Sequence, residues 1–212
     1  MSKFYTSWLR HEEYAEWEDF LQHHPLATFF HQTAYLQKLA ELLKISLGVL
    51  VVRNSNNELV AGFPHLYARK WGMPYIYTPP VTTVYAPLIA QRESKYLSKR
   101  ESHDHDVAQV LYATLVNHYR LQKLIFPPGA DDMRPAKQAG YRVKPAYTYT
   151  AGLAPGKDFI AEATSSLKRQ IKKAAKRNYQ INRTLDSSNI QAFYQLQEKA
   201  FKRQGMRFHF TA

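Results

Sequence analysis

Apolar residues recur at helical spacing at Tyr14, Trp17, Phe20 and Leu21 until His23, His24 and Pro25 interrupt them, which predicts a first helix. A second, shorter helix is expected from Thr33, whose hydroxyl suits a cap, with Leu36, Leu39, Ala40 and Leu43 as its stripe. Segments 45–53 and 58–69 are rich in β-branched and aromatic residues and flank the polar turn NSNN, so they read as an antiparallel hairpin. Two shorter extended segments punctuated by proline follow at 74–80 and 82–90. Asp106 is placed to cap a helix whose Val107, Val110, Leu111, Thr114, Leu115 and His118 share one face, and a buried strand is expected over 123–126. The turn PPGADD leads into a short helix ending at Gly140, after which Tyr141–Leu153 reads as a further strand.

Helices alternating with these strands predict an α/β lobe over residues 1–153, with a central mixed, largely antiparallel sheet flanked by helices. The segment APGKD, 154–158, marks a boundary. Beyond it, in 154–212, the pattern predicts a basic helix over 166–178, a strand over 180–185 and a helix over 188–204. The last helix carries Ile190, Phe193, Leu196, Ala200 and Phe201 on one side, and Gly205 is placed to stop it. A strand and one amphipathic helix bury little by themselves, so an incomplete second lobe is expected, with either homodimer formation through its apolar face or a poorly ordered C-terminal end.

Composition narrows the classes. Apolar residues make up 45% of the 212-residue chain and charged residues 22%, values of a folded globular protein rather than a disordered one. The uncharged run Trp71–Gln91 has the length of a membrane span, but Pro74, Pro79, Pro80 and Pro87 break it into strands and turns. With no cysteine there is no disulfide, thiolate metal site or cysteine nucleophile, and the first residues lack an apolar signal region, so a cytoplasmic location is expected. The formal net charge is +12, which favours anionic partners. Residues 1–150 hold 17 basic against 13 acidic side chains, whereas 151–212 hold 12 against 4, so the excess is concentrated near the C-terminal end.

That excess centres on SSLKRQIKKAAKRNY, where Lys168, Arg169, Lys172, Lys173, Lys176 and Arg177 fall within ten residues and no acid occurs from Ala163 to Leu185. At about 100° per residue these six positions sweep roughly half a helix, opposite Leu167, Ile171, Ala174 and Ala175. Such a face is either simply solvated or holds an anion; without carboxylates one turn away its cations repel one another, which favours the anion. HDHD at 103–106 reads as helix entry rather than a metal site, and no metal is expected. Neither Gly-x-Ser-x-Gly, GxGxxG nor GxxxxGK[ST] occurs. Tyr67, Tyr75, Tyr77 and Tyr85, set among prolines, either line a cleft or fill the core.

The stretches 17–41, 62–89 and 138–181 follow one another in an order that resembles GNAT-type acyltransferases of the FemAB-like group. WEDFLQHHPLATFFHQTAYLQKLAE is similar to the group's opening helices, and GFPHLYARKWGMPYIYTPPVTTVYAPLI to its next block, with Ala86 where glycine is common. QAGYRVKPAYTYTAGLAPGKDFIAEATSSLKRQIKKAAKRNYQI is similar to its most diagnostic stretch. The resemblance implies two GNAT-like lobes joined by the basic helix. It also implies transfer of an acyl or aminoacyl group to an amine, with acyl-CoA or aminoacyl-tRNA as co-substrate and no metal. The pyrophosphate loop Q/R-x-x-G-x-G/A of GNAT proteins does not occur. The expected substrate-binding residues are Lys168, Arg169, Lys172 and Lys173, with Tyr77 and Tyr85, toward an anionic small molecule or a tRNA-linked substrate. No residue stands out as the catalytic base. The alternative is a noncatalytic nucleic-acid-binding module using helix 166–178.

Overall fold

The computed structural model describes residues 3–79, 82–90, 94–130, 132–149, 156, 158–177, 179–180, 183 and 186–206. The chain forms two compact units, Met1–Pro145 and Ala146–Ala212. The segments 154–158 and 180–185, expected as boundary and strand, lie largely outside the described residues.

The first unit is α/β. Its described strands are β1 (Phe4–Trp8), β2 (Ser46–Asn54), β3 (Leu59–Lys70), β4 (Met73–Tyr77) and β5 (Leu88–Ile89), all paired antiparallel. They form one sheet in the order β1-β2-β3-β4, with β5 also on β3. Parallel pairing, expected from the mixed reading, is confined among the described residues to a single bridge between Tyr75 and Leu121. Strand β1 has no counterpart in the sequence reading, although FYTSW is rich in strand-forming residues; it pairs along the open edge of β2.

Strand β3 pairs with β2 along one edge and with both β4 and β5 along the other. Its residues Ala61 and Gly62 meet β5, whereas Leu66 through Lys70 meet β4, which leaves a notch at Phe63–His65. The bond from Ala90 N–H to Val60 O, 2.9 Å, shows that even-numbered residues direct their main chain toward this edge. Proline occupies position 64, where no N–H is left to satisfy. The next inward donor, Leu66 N–H, bonds to the Tyr85 hydroxyl oxygen at 2.6 Å. Tyr85 is 1% exposed, and Phe63 meets its ring edge-on at 5.2 Å.

Both faces of the sheet are covered. In β2, Val49, Leu50, Val51 and Val52 are each no more than 1% exposed, so the uninterrupted apolar run of the sequence serves two cores at once. Leu50 and Val52 belong to a core shared with α2 (Thr33–Leu43) and α3 (Leu97–His118), which contribute Leu36, Val107, Leu111 and Leu115. Val49 and Val51 join Leu88 beneath Trp17 and Leu21 of α1 (Tyr14–Gln22). Gly62 lies directly under Trp17, where an added Cβ would come within 2.5 Å of the indole and 3.0 Å of Leu50 O.

Polar side chains tie the helical N-terminal region to the sheet. The Trp17 indole N–H donates to His31 O at 2.9 Å. His24 Nδ1 accepts from Leu26 N–H, leaving Nε2–H to donate to Ile89 O at 2.9 Å. His31 repeats the device, accepting from Thr28 N–H and donating to Ala86 O at 3.1 Å. Both rings must be neutral to accept at Nδ1, and burial holds their pKa values below the ordinary range. The cap of α2 differs from expectation: Gln32 is the capping position, and Glu18 from α1 accepts from both Thr33 N–H (2.7 Å) and Thr33 Oγ1 (2.6 Å). A carboxylate there also complements the helix dipole.

Three expectations are corrected. The helix expected from Asp106 starts at Leu97; residues 98–105 are polar and exposed or half-exposed, so no apolar periodicity marks these first turns in the sequence. The strand expected over 123–126 is reduced to an isolated bridge between Ile125 and Tyr85, with Tyr85 N–H donating to Ile125 O at 2.7 Å. The chain there first runs parallel beside Tyr75 and then antiparallel beside Tyr85, changing partner too soon to build a ladder. The strand expected over Tyr141–Leu153 is unpaired coil through Tyr149, with Tyr147 and Tyr149 almost fully exposed; 150–153 lie outside the described residues. Its β-rich composition alone does not make a strand, since no ladder forms over 141–149. Gly140 does end the preceding helix α4 (Arg134–Gln138), taking φ 96° while Tyr141 N–H closes onto Ala136 O.

The second unit contains α5 (Phe159–Glu162), α6 (Ser165–Ala175) and α7 (Ser187–Arg203). Gly205, at φ 66°, terminates α7 as expected, with Met206 N–H donating to Phe201 O.

Two outcomes follow for stability. Gly62→Ala should lower stability by about 1–3 kcal/mol through overpacking against Trp17, read as a lower midpoint in chemical denaturation. Acid should destabilise the fold through its buried histidines. Burial lowers His65 from its ordinary 6.5 to about 4, so the folded state binds fewer protons than the unfolded chain between those values. The stabilisation is complete above about pH 6.5 and is lost as pH falls toward about 4, a span worth on the order of 3 kcal/mol for His65. His65→Phe should flatten that slope in denaturation measured across the same pH range.

Candidate anion-binding site

The site is built on α6. Thr164 caps the helix, accepting from Leu167 N–H at 3.4 Å, and Asp158 caps α5 just before it through Ile160 and Ala161 N–H at 2.9 and 3.1 Å. These caps suit the sequence, since each side chain satisfies amides that the helix itself leaves open. Lys168, Arg169, Lys172, Lys173 and Lys176 then fall at i, i+1, i+4, i+5 and i+8, within an arc of about 140°. Two rows result, Lys168–Lys172–Lys176 and Arg169–Lys173, with neighbours in a row about 6 Å apart along the axis.

With Ser165 these five cations line an open depression of about 540 Å³. That volume falls within the roughly 300–1,000 Å³ typical of small-molecule sites, but the site is a face rather than an enclosed cleft. Lys168 is half-buried, and its ammonium donates to Ala161 O at 2.8 Å. Arg169, Lys172, Lys173 and Lys176 are exposed. The concentration of Lys172, Lys173 and Lys176 toward the helix C-terminus is favoured by the dipole, which offsets part of their mutual repulsion. Arg177 sits beyond the helix end, donating to the Tyr179 hydroxyl at 3.0 Å. The structure thus brings Lys168, Arg169, Lys172 and Lys173 together as the spacing predicted.

The two tyrosines, Tyr77 and Tyr85, belong to the first unit. Tyr85 belongs to the core of the first unit, where its hydroxyl serves Leu66 N–H. Tyr77 is half-buried at the end of β4, opposite Leu66, and packs against the same core. Both follow the packing alternative for aromatic strands. His103 and Asp104 contact each other at 3.2 Å on α3, and the His103 ring sits edge-on to Phe4. No group of three or more side chains placed for a metal occurs among the described residues.

Sequence reading left the histidines scattered, but the fold gathers His65, Tyr67 and Tyr119 with Trp8 and His118 in one aromatic cluster. His65 donates from Nδ1 to Phe63 O at 2.9 Å and accepts at Nε2 from the Tyr119 hydroxyl at 2.8 Å. The ring is neutral and fully sealed, so it fixes the packing of α3 on the sheet rather than meeting a substrate. No local motif signals this pairing, since 54 residues separate its partners.

The second feature of this unit is apolar. Ile190, Phe193 and Leu196 lie along one side of α7 and are 53%, 61% and 65% exposed. Among the described residues no helix is long and apolar enough to cross a membrane. Compared with known proteins, the sequence matches no protein-family model and no curated protein.

Proposed function

We propose that this chain is an acyl or aminoacyl transferase, or the N-terminal portion of one, of the GNAT-type FemAB-like group that its segment order resembles. In this reading α6 holds the anionic part of the donor or acceptor. The supporting observation is the acid-free array of Lys168, Arg169, Lys172, Lys173 and Lys176 on one exposed helix face. The donor is acyl-CoA or aminoacyl-tRNA, both of which carry phosphates that such a face attracts. In the transfer, the deprotonated acceptor amine attacks the activated carbonyl, and collapse of the tetrahedral intermediate expels the thiol or ribose hydroxyl. No covalent enzyme nucleophile is needed, and the cysteine-free chain agrees with that.

Arg169 is the leading single contact, because a guanidinium engages phosphate through two parallel hydrogen bonds. Changing Arg169 and Lys172 together to Ala should weaken binding of acyl-CoA or charged tRNA by about 1–3 kcal/mol and flatten its salt dependence. The fold should keep its stability to within about 0.5 kcal/mol, since both side chains are at the surface. Unchanged binding at every salt concentration would show the face to be merely solvated. The two rows of cations also suit a nucleic-acid backbone. Tight RNA or DNA binding, with no acyl transfer to amines detected by mass spectrometry, would favour that second reading.

We also propose that a second copy of the chain covers the apolar side of α7. Light scattering should then report a dimer that Phe193→Asp dissociates; a wild-type monomer with a protected α7 in hydrogen exchange would count against it.

A further inference from the structure

The β3–β4 hairpin turns through Trp71 and Gly72, both with positive φ, 52° and 77°. Two left-handed residues in a two-residue loop make the tight hairpin turn whose first position ordinarily carries Asn, Asp or Gly. A bulky side chain there strains the backbone, because its Cβ crowds the neighbouring carbonyl. Packing does not explain the choice. Trp71 is 84% exposed, the most exposed large hydrophobic residue of the first unit among those described, and its ring contacts only the Lys70 ammonium, 4.6 Å from its centre, among the contacts seen. An observed strain without a packing return points toward a use outside the fold.

The surroundings define that use. Met73, paired across the turn with Lys70, is 43% exposed. Leu121 is 67% exposed and runs beside β4, held by Arg120 N–H to Pro74 O at 3.0 Å and Ile76 N–H to Leu121 O at 2.9 Å. Arg69, Lys70, Arg120 and Lys123 are interspersed with these apolar groups. No acid occurs in the sequence from Leu59 to Arg92 or from Val107 to Ala130, the two stretches that build this edge.

We propose that the Trp71 hairpin tip docks on an anionic lipid bilayer, the indole entering the headgroup region while Arg69, Lys70 and Arg120 meet lipid phosphates. Indole is enriched at this boundary because its ring is apolar and its N–H polar. Each cation near an anionic surface adds electrostatic attraction that salt screens. Met73 and Leu121 extend the apolar contact. A nucleic-acid backbone would use the cations but leave both residues without a role, and one indole stacks at most one base. The result is peripheral attachment, independent of any transmembrane helix and of the α6 face.

The test uses the full chain with vesicles of phosphatidylcholine alone or with a third of the lipid as phosphatidylglycerol. Sedimentation should show binding to the mixed vesicles only. The Trp71 signal, taken as the difference between wild-type and Trp71→Asn emission, should shift to the blue and be quenched by brominated lipid. Trp71→Asn should lower the partition coefficient about tenfold. It should keep or raise the melting temperature, because Asn tolerates the left-handed turn. Arg69→Glu with Lys70→Glu should remove binding to the anionic vesicles. The proposal is overturned if Trp71→Asn binds vesicles as well as wild type. It is equally overturned if vesicles bind without moving Trp71 emission, the signature of adsorption through α6, or if Trp71 responds to single-stranded oligonucleotide but not to lipid.

Discussion

A buried strand must find a partner for every main-chain N–H, and in this protein that requirement is hardest to meet on β3, whose outer edge is shared by two strands that do not touch end to end. An unpaired donor there would cost about 1–3 kcal/mol. The chain meets the requirement with two different devices. Pro64 removes one donor, and the Tyr85 hydroxyl accepts from Leu66 N–H. Tyr85 also bridges through its own backbone to Ile125, so the crossing segment after α3 is held by the residue that closes the notch. The position of β5, and with it the floor beneath Trp17, depends on this arrangement.

The same logic governs the other buried polar groups. His24 and His31 hold the N-terminal helices to a carbonyl of β5, Ile89 O, and to one just before it, Ala86 O, while His65 joins β3 to Tyr119 at the end of α3. Each is satisfied at both ring nitrogens only as the neutral form, which couples the packing of three layers to the protonation state of imidazoles. Glu18 plays the complementary role with a charge, accepting twice from Thr33 at the start of α2. Buried polarity therefore serves registration here: it fixes which helix meets which part of the sheet.

The second unit is organised differently. Neither α6 nor α7 buries a residue, and both carry their chemistry outward, cations on one and apolar side chains on the other. Helix caps and termini account for their local existence: Thr164 at the start of α6 and Gly205 at the end of α7. An array of five cations at i, i+1, i+4, i+5 and i+8 is a property of helical spacing alone, which is why it was legible before any coordinates.

Periodicity and punctuation in the sequence determined α1, α2, α4, α6 and α7, the β2–β3 hairpin, β4 and the cationic face, because each depends on contacts no farther than a helical turn or a hairpin. What the tertiary structure decided was every feature that needs a distant partner. Strand β1 exists because β2 has an open edge, whereas residues 141–149 form no ladder although their composition favours one. Tyr85 became a core residue because a notch in β3 needed an acceptor, and the Glu18 cap and the His65–Tyr119 pair came from segments remote in sequence. Local pattern states what a segment prefers; whether the preference is realised depends on which hydrogen-bonding groups the rest of the chain leaves unpaired.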